Sequence, residues 1–348
     1  MKTRVIIVDD SAIVRKVMSS LLGKESDIEV VATAPDPFVG RDKLVKHKPD
    51  VLLLDVEMPR MDGITFLRKV MEFQPLPVIM VSSLTTKGGE LALEALRAGA
   101  YEVVAKPRGS YTLDNLGPEL ISKIRSARHA RVAGPAANAR AASAPAAAPQ
   151  LARAMATNKI FAGGASTGGT TAFERLLTML PPACPGVVVV QHMPENFTRA
   201  YADRLDTLTP LHVKEAEQGD VVSAGKVLIA PGNRHMELTR SGAMYRVALN
   251  DNPRVGRHRP AVNVLFESVA RNAGKNAIGV LLTGMGEDGA TGLLSMREAG
   301  SATIAQDEAS CVVFGMPRAA IERGAAQQVL PLDRIAGAMV TFAEVTKR

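Results

Sequence analysis

The sequence has 348 residues, of which 46% are hydrophobic, 22% charged and only 4% aromatic. This length predicts two domains with ordinary cores, and the composition excludes collagen-like and wholly disordered chains. Two cysteines, Cys184 and Cys311, are too few for a disulfide framework and lack the spacing of a zinc site. No apolar run approaches the ~18 residues of a membrane span, and the amino-terminal apolar stretch stops early, at Asp9. We therefore expect a soluble, cytoplasmic protein.

The formal charge of +7 is confined to one segment, which argues against direct nucleic-acid binding. Seven Lys or Arg and no Asp or Glu fall between Leu120 and Phe173, and the 35 basic residues elsewhere balance 35 acidic ones. Within this segment, residues 127–156 are half alanine and include three prolines. We interpret 127–156 as an interdomain linker, with an alanine-rich helix as the alternative. The predicted domains are 1–126 and 157–348.

The first domain alternates apolar runs with helical patterns. Runs typical of buried strands occur at Val5–Val8, Ile28–Val31, Val51–Leu54, Val78–Val81 and Tyr101–Val104. The segments between them place apolar residues at helical spacing. Continuous apolar strands separated by helices indicate a parallel sheet that is covered on both faces. We predict an α/β fold of the doubly wound, flavodoxin-like type.

Polar residues follow four of these five strands. Asp9 and Asp10 end the first, Asp55 the third, Ser82 the fourth and Lys106 the fifth. In such sheets, the functional crevice lies beyond the carboxyl ends of the strands. Three carboxylates in one crevice repel each other unless a hard cation such as Mg²⁺ lies among them. A single strand-end Asp is more often a helix cap, but the complete set favours a functional site.

These residues make the domain resemble a receiver domain of two-component response regulators. Asp55-Val56-Glu57-Met58-Pro59-Arg60-Met61-Asp62-Gly63 is similar to the phosphoacceptor motif of that family, and Lys106-Pro107 is similar to its lysine and cis proline. The resemblance implies that a histidine kinase phosphorylates Asp55. It further implies that Asp10, Asp55 and the Glu57 carbonyl hold Mg²⁺ with help from Asp9, and that Ser82 and Lys106 respond to the phosphoryl group. Val103 stands where the family often has an aromatic switch residue, so signalling through an aromatic rotamer is not expected.

The second domain opens with a strand, a glycine-rich turn and a helical pattern. Ile160-Phe161-Ala162 leads into Gly163-Gly164-Ala165-Ser166-Thr167-Gly168-Gly169. Such a turn either cradles phosphate with backbone N–H groups or exposes a serine nucleophile, and a purely structural turn is the third possibility. Thr170 stands where a phosphate-binding loop would have its lysine. The serine interpretation is therefore favoured.

A serine nucleophile needs a base and an acid that orients the base. His192 follows the strand-like run Val187–Val190, whereas His235 and His258 are predicted in loops. The apolar strand Ile278–Leu282 leads to Glu287 and Asp288, either of which is alternatively a helix cap. Three strand ends that supply Ser, His and Asp favour a catalytic triad on a second α/β domain with a mainly parallel sheet.

The whole layout resembles the chemotaxis protein-glutamate methylesterase family, known as CheB. The matching segments include Gly164–Gly169, Gln191–Pro194, Ile229–Gly232, Arg257–Pro260, Leu282–Gly289 and Ala309–Pro317. The resemblance implies that Ser166 is the nucleophile, His192 the base, Asp288 its orienting acid and the Met285 N–H an oxyanion donor.

The reaction that this resemblance implies is hydrolysis of glutamate γ-methyl esters, and deamidation of certain glutamines, on methyl-accepting chemotaxis receptors. A chemotaxis histidine kinase would be the phosphodonor, and the esterase reaction itself would need no cofactor. Arg257 and Arg259 would favour acidic receptor helices. A noncatalytic adaptor and a small-molecule carboxylesterase are the alternative functions.

Overall fold

The computed structural model describes residues 2–83, 85–106, 113–128 and 158–344. The chain divides into two compact units, Met1–Ala146 and Ala147–Arg348. Most of the predicted linker, from residue 129 to residue 156, lies outside the described residues. None of the helices in the described ranges combines the length and apolar character that crossing a bilayer requires.

The first unit alternates strands and helices as predicted. Its elements are β1 (Thr3–Val8), α1 (Ala12–Leu22), β2 (Ile28–Ala34), α2 (Pro37–His47), β3 (Val51–Asp55), α3 (Gly63–Phe73), β4 (Val78–Ser82), α4 (Thr86–Arg97), β5 (Glu102–Ala105) and α5 (Leu113–Ala127). The strands pair in parallel in the order β2-β1-β3-β4-β5. This order is the flavodoxin-like one, which confirms the predicted fold class.

Local sequence explains where these helices begin. The Asp36 carboxylate accepts the N–H groups of Phe38 and Val39 at the start of α2, and Asp62 accepts the Thr65 N–H at the start of α3. A short acidic side chain at this position satisfies N–H groups that have no partner within the helix. β3 and β4 are buried along their whole length. The central strands therefore fix the crevice beyond their carboxyl ends.

The second unit contains a larger sheet and a separate hairpin. Its elements are β6 (Ile160–Ala165), α6 (Gly169–Thr178), β7 (Gly186–Gln191), α7 (Phe197–Leu208), β8 (His212–Glu215), β9 (Lys226–Ile229), β10 (His235–Ser241), β11 (Met244–Asn250), α8 (Val262–Asn272), a short 3₁₀ helix (Gly274–Asn276), β12 (Ala277–Leu281), α9 (Ala290–Glu298), β13 (Ala302–Gln306), α10 (Met316–Glu322), β14 (Gln328–Leu330) and α11 (Leu332–Ala343). All pairs in the sheet β14-β13-β12-β6-β7-β9-β8 are parallel, and β10 and β11 form an antiparallel hairpin. The predicted mainly parallel sheet is confirmed.

The order of strands in this sheet positions the candidate site. β6 is the first strand of this sheet along the chain, and within the sheet it lies between β7 and β12. The strand order therefore reverses at β6, where open α/β sheets usually bind their ligands. β6, β7 and β12 are buried throughout, so they form a fixed base for the loops that follow them.

Candidate functional sites

Ser166 lies on the turn that joins β6 to α6. The Ser166 N–H donates to the Thr283 carbonyl at 3.0 Å, and the Ser166 carbonyl accepts the Gly169 N–H at 2.8 Å. Gly168 completes the turn at φ 77°, and a Cβ there would meet Val312 at 2.6 Å. The turn holds a partly buried serine at the N-terminal end of a helix, which is the setting that a nucleophilic serine requires.

His192 and Asp288 form a buried pair close to this turn. The His192 N–H donates to the Ala165 carbonyl at 3.1 Å, so the histidine lies beside the residue that precedes Ser166. His192 Nε2 is 2.8 Å from Asp288 Oδ2, and the two side chains are 7% and 4% exposed. Within the described residues, the buried Nδ1 of His192 has no hydrogen-bond partner. The structure thus brings Ser166, His192 and Asp288 to one edge of the sheet and joins the last two directly.

Asp288 also binds the start of a helix that is distant in sequence. Its carboxylate accepts the N–H groups of Val262 at 2.7 Å and Asn263 at 3.0 Å, in the first turn of α8. Burial raises the pKa of Asp288, but the hydrogen bond and charge of His192 and these two N–H groups outweigh it and hold the pKa below its ordinary value. The alternative role as cap of the following helix is wrong, because Gly289 occupies that position.

The loop between β12 and α9 approaches the serine turn closely. A Cβ on Gly284 would lie 2.9 Å from Ser166 Cβ and 2.2 Å from Met316 Sδ, so only glycine fits there. The predicted oxyanion donor, Met285, is the next residue in this loop and is partly buried. Glu287, the alternative triad acid, is 71% exposed and pairs with Arg323 instead of His192.

The remaining histidines have different environments. His258 stacks on His192, with ring centroids 3.8 Å apart and planes inclined by 9°. His235 begins β10, which corrects the predicted loop position, and its buried ring bonds the Pro253 carbonyl and the Ala261 N–H. His212 begins β8 and pairs with Asp206. Sequence reasoning missed the contact between His258 and His192, because no spacing rule links the ends of two distant loops.

The two arginines that flank His258 differ in their availability. The Arg259 guanidinium is held by Asn233 Oδ1 at 2.8 Å and by the carbonyls of Asp251 and Asn252. Arg257 is exposed. Arg257 therefore remains the candidate for attracting an acidic partner. The Arg259 side chain instead holds its own loop in place.

The first unit gathers three carboxylates at the carboxyl ends of β1 and β3. One oxygen from each of Asp9, Asp10 and Asp55 lies within 4.8 Å of the others. Burial, opposed by the Lys106 hydrogen bond and reinforced by the charge of Asp9, raises the pKa of Asp55 to about 6. Burial also raises the pKa of Asp9, whose Oδ2 has no hydrogen-bond partner within the described residues. This orphaned oxygen and an all-oxygen donor set fit a hard cation such as Mg²⁺.

Lys106 supplies the positive charge in this cluster. Its Nζ donates to Asp55 Oδ2 at 2.6 Å and lies 3.6 Å from Asp9 Oδ2. Burial lowers the pKa of Lys106, but the hydrogen bond and charge of Asp55, with the charges of Asp9 and Asp10, outweigh it and leave the pKa above its ordinary value. Within the described residues, the Arg15 guanidinium donates to the Asp9 and Asp10 carbonyls, so Lys106 is the cation that bonds the carboxylates themselves. Three carboxylates outnumber these two cations, and the cluster keeps an excess of negative charge.

The other predicted receiver residues lie on the neighbouring strands β4 and β5 or just after β3. The Glu57 N–H donates to Asp55 Oδ1 at 3.2 Å, while the Ser82 hydroxyl donates to the Gly88 carbonyl at 3.1 Å in the first turn of α4. Val103 is buried in β5. Pro107, with its predicted cis bond, lies outside the described residues.

Known proteins resemble both units. Residues 161–339 match the family described as CheB methylesterase, and residues 5–116 match the response regulator receiver domain. The chain is 56% identical to protein-glutamate methylesterase/protein-glutamine glutaminase 4 of Anaeromyxobacter dehalogenans (strain 2CP-C), covering 98% of this chain and 95% of that one. It is 52% identical to the protein-glutamate methylesterase/protein-glutamine glutaminase of Salmonella typhi, covering 97% and 96%.

Among solved structures, the Thermotoga maritima CheB methylesterase catalytic domain is 40% identical, with a TM-score of 0.52. The match covers 53% of this chain and 99% of that one. The second sheet, with the Ser166 turn at its edge, thus has a counterpart of known structure. From these matches, the chain belongs to the CheB methylesterase family and is a methylesterase that carries a response regulator receiver domain.

Proposed function

We propose that this chain hydrolyses γ-methyl esters of glutamate residues, and deamidates particular glutamines, on methyl-accepting chemotaxis receptors. The observation that carries this proposal is the buried pair of His192 and Asp288, with Nε2 and Oδ2 2.8 Å apart, beside the turn that bears Ser166. The names of the two relatives supply the substrate class. Removal of methyl groups from receptors would bring about adaptation.

The pairing assigns a role to each nitrogen of His192. When Nε2–H donates to Asp288, Nδ1 carries the lone pair and is the basic atom. This Nδ1 is buried and has no hydrogen-bond partner within the described residues, so it is available to take the Ser166 proton. In chymotrypsin-like proteases the two ring nitrogens have the opposite roles. Hydrogen bonds to the nucleophile often tighten only when substrate binds.

The reaction then proceeds through an acyl-enzyme. Ser166 Oγ attacks the ester carbonyl carbon while His192 Nδ1 takes the hydroxyl proton, and His192 returns that proton to the departing methanol. Water attacks the acyl-enzyme by the same proton transfers, which releases the glutamate carboxylate and restores Ser166. Ammonia replaces methanol as the leaving group when a glutamine is deamidated.

Negative charge on the carbonyl oxygen would be stabilised from two sides. The Met285 N–H belongs to the loop whose Gly284 packs against Ser166, and we propose it as an oxyanion donor. The N-terminal end of α6, which begins three residues after Ser166, adds a partial positive charge. Ionised Asp288 would stabilise the imidazolium form of His192 during both steps.

The receiver would control this reaction. We propose residues 1–126 as the receiver domain, 127–156 as the linker and 157–348 as the esterase domain. A chemotaxis histidine kinase would phosphorylate Asp55, and Ser82 and Lys106 would bind the phosphoryl oxygens. Asp9, Asp10, Asp55 and the Glu57 carbonyl would hold Mg²⁺, which when bound offsets the charge of the carboxylates and of the incoming phosphoryl group.

Two other functions are less well supported. A noncatalytic adaptor would not need a buried carboxylate anchored by three N–H donors and aimed at a histidine. A metabolic carboxylesterase would not need the acidic cluster of the receiver. Neither alternative accounts for both sites in one chain.

The test is release of methanol from receptor membranes that carry labelled methyl groups. The full chain should release label, and Ser166→Ala should reduce release by at least about 10³-fold. His212→Ala is the control. His212 is exposed and begins β8, so it lies at the amino ends of the parallel strands, whereas Ser166 follows the carboxyl end of β6. Label release by Ser166→Ala at the rate of the unmodified chain would refute the proposed mechanism.

A further inference from the structure

His258 contacts His192, the proposed base, but the proposed reaction steps assign it no role. Its ring lies parallel to that of His192, with centroids 3.8 Å apart and planes inclined by 9°. His192 is 7% exposed, so the stack covers a face of a ring that is almost entirely buried. Aromatic pairs contribute free energy beyond simple burial, although offset and edge-to-face pairs are preferred over a face-to-face stack such as this one.

The hydrogen bond to Asp288 fixes only one atom of the His192 ring. A single bond at Nε2 permits the ring to tilt, and tilting moves Nδ1 away from the serine turn. A parallel ring in contact with one face opposes that tilt. The Asp288 bond and the His258 stack therefore constrain the base in complementary ways.

The segment that carries His258 is rigid in its own right. Val255 and His258 exchange backbone hydrogen bonds of 3.0 and 2.9 Å around a tight turn, with Gly256 at φ 57° and Arg257 at φ 73°. Positive φ at both central residues is the geometry of a type I′ turn. The turn fixes the direction in which the His258 side chain leaves the backbone.

Two anchors, Arg259 and the buried His235, fix the rest of this segment. The Arg259 guanidinium bonds Asn233 Oδ1 at 2.8 Å and the Asp251 carbonyl at 2.8 Å. The buried His235 bonds the Pro253 carbonyl at 3.1 Å and the Ala261 N–H at 3.3 Å. A loop that only covered the site would not need contacts on both sides of the stacked ring.

We propose that His258 is a positioning residue that holds the His192 ring in the plane required for proton transfer from Ser166. This inference rests on the proposed role of His192 as base. The planar π surface of His258 is the active feature, and its ring nitrogens have no part in moving the proton. The stack also places the face of an aromatic ring against the imidazolium that forms during attack.

Three substitutions of His258 distinguish the effect of its flat ring from the effect of its ring nitrogens. His258→Phe keeps a flat ring without nitrogen, His258→Leu keeps volume without a flat face, and His258→Ala removes both. In the full chain, we expect kcat for methanol release to fall about 3- to 10-fold in His258→Ala and His258→Leu, as the usual strength of an aromatic pair implies. His258→Phe should stay within about twofold of the unmodified chain. KM should change by less than about twofold in all three, because His258 acts through the base.

A second readout follows the nucleophile without any receptor. The rate at which a fluorophosphonate modifies Ser166 should fall in parallel with kcat, because that reaction also requires proton transfer to His192. His212→Ala is the control, since it removes an exposed histidine that begins β8 and pairs with Asp206. Thermal unfolding of each variant identifies any that fails to fold, and His258→Phe and His258→Leu then decide between the outcomes.

Two results would overturn the inference. Normal kcat in His258→Ala and His258→Leu would show that the stack has no function in the reaction. A loss in His258→Phe as large as in His258→Ala would show that a ring nitrogen matters instead of the plane. His192→Ala distinguishes the two proposals: if it keeps full activity, the proposed function itself fails, whereas a dead His192→Ala with a normal His258→Ala removes only the stack.

Discussion

The two sites lie in equivalent places, at the carboxyl ends of parallel strands, yet their buried carboxylates have opposite electrostatic character. Asp55 has Asp9 and Asp10 close to it, and burial raises its pKa to about 6. Asp288 accepts three N–H groups, from His192, Val262 and Asn263, and its pKa is lowered although it too is buried. The carboxyl ends of parallel strands can therefore either raise or lower the pKa of a buried carboxyl group, depending on its neighbours.

The balance of donors and neighbouring charges explains this difference. Within the part of the chain that the structure describes, the donors to Asp55 are Lys106 Nζ and the Glu57 N–H, and the Lys106 ammonium does not neutralise three carboxylates. Such a cluster is stabilised by adding positive charge, which suits a switch that binds a cation. Asp288 is already satisfied, which suits a permanent anion beside a base. The predictions below test this contrast, from the largest expected effect to the smallest.

The largest effect should come from Asp288→Asn. An asparagine has only one acceptor oxygen, so its NH₂ group would face at least one of the three N–H donors. We expect kcat for methanol release to fall by about 10³- to 10⁴-fold, because the His192 tautomer and orientation are lost. Glu287→Gln is the matched control: this neighbouring carboxylate is 71% exposed and should be dispensable. Comparable losses in the two variants would mean that the triad acid is misassigned.

A smaller effect is expected from phosphorylation of Asp55. An acyl phosphate with Mg²⁺ should label the full chain and raise esterase activity about 5- to 150-fold, the range that a coupling of 1–3 kcal/mol allows. Asp55→Asn should neither take label nor respond. Lys106→Ala should take label but respond weakly, because its ammonium lies 2.6 Å from the Asp55 carboxylate and is placed to bind a phosphoryl oxygen. Equal stimulation of Asp55→Asn would move the phosphorylation site elsewhere.

The positions of both sites could largely be predicted from residue patterns. Apolar runs located the strands, and the polar residues that follow them located both sites. The glycine-rich turn indicates Ser166, and positions after apolar strands indicate His192, Asp288, Asp9, Asp10 and Asp55. The strand ends moved by only a few residues, as with β2, which extends to Ala34.

The anchors of these residues could not be predicted. Asp288 binds the first N–H groups of α8, and His258 stacks on His192, through contacts between loops that are far apart in sequence. No periodicity reports such contacts, because they depend on how the sheet order brings loop ends together. The same limit applies to Arg259, which was predicted to attract an acidic partner. Its guanidinium instead bonds Asn233 and backbone carbonyls, and no sequence pattern reveals those bonds.

The smallest effect concerns stability and bears directly on the receiver carboxylates. A folded-state pKa of about 6 for Asp55, against an ordinary value of 3.8, means that the folded state binds this proton more tightly than the unfolded state. The stabilising effect of protonation is complete below pH ~4 and is lost as pH rises towards ~6. Asp55→Asn removes the ionisation, so the receiver should gain about 1–3 kcal/mol in free energy of unfolding at pH 7 and little at pH 4.

The measurement is urea unfolding of the full chain at both pH values, without divalent cations and with the receiver transition resolved. Asp42→Asn is the matched control, because Asp42 is 69% exposed and pairs with its neighbour Arg41, so its effect should stay within about 0.5 kcal/mol. Added Mg²⁺ should stabilise the unmodified receiver more than Asp55→Asn, since the substitution removes a proposed ligand. A gain that is equal at pH 4 and pH 7 would show that the cause is packing and not charge, and the electrostatic contrast between the two sites would then fail on the receiver side.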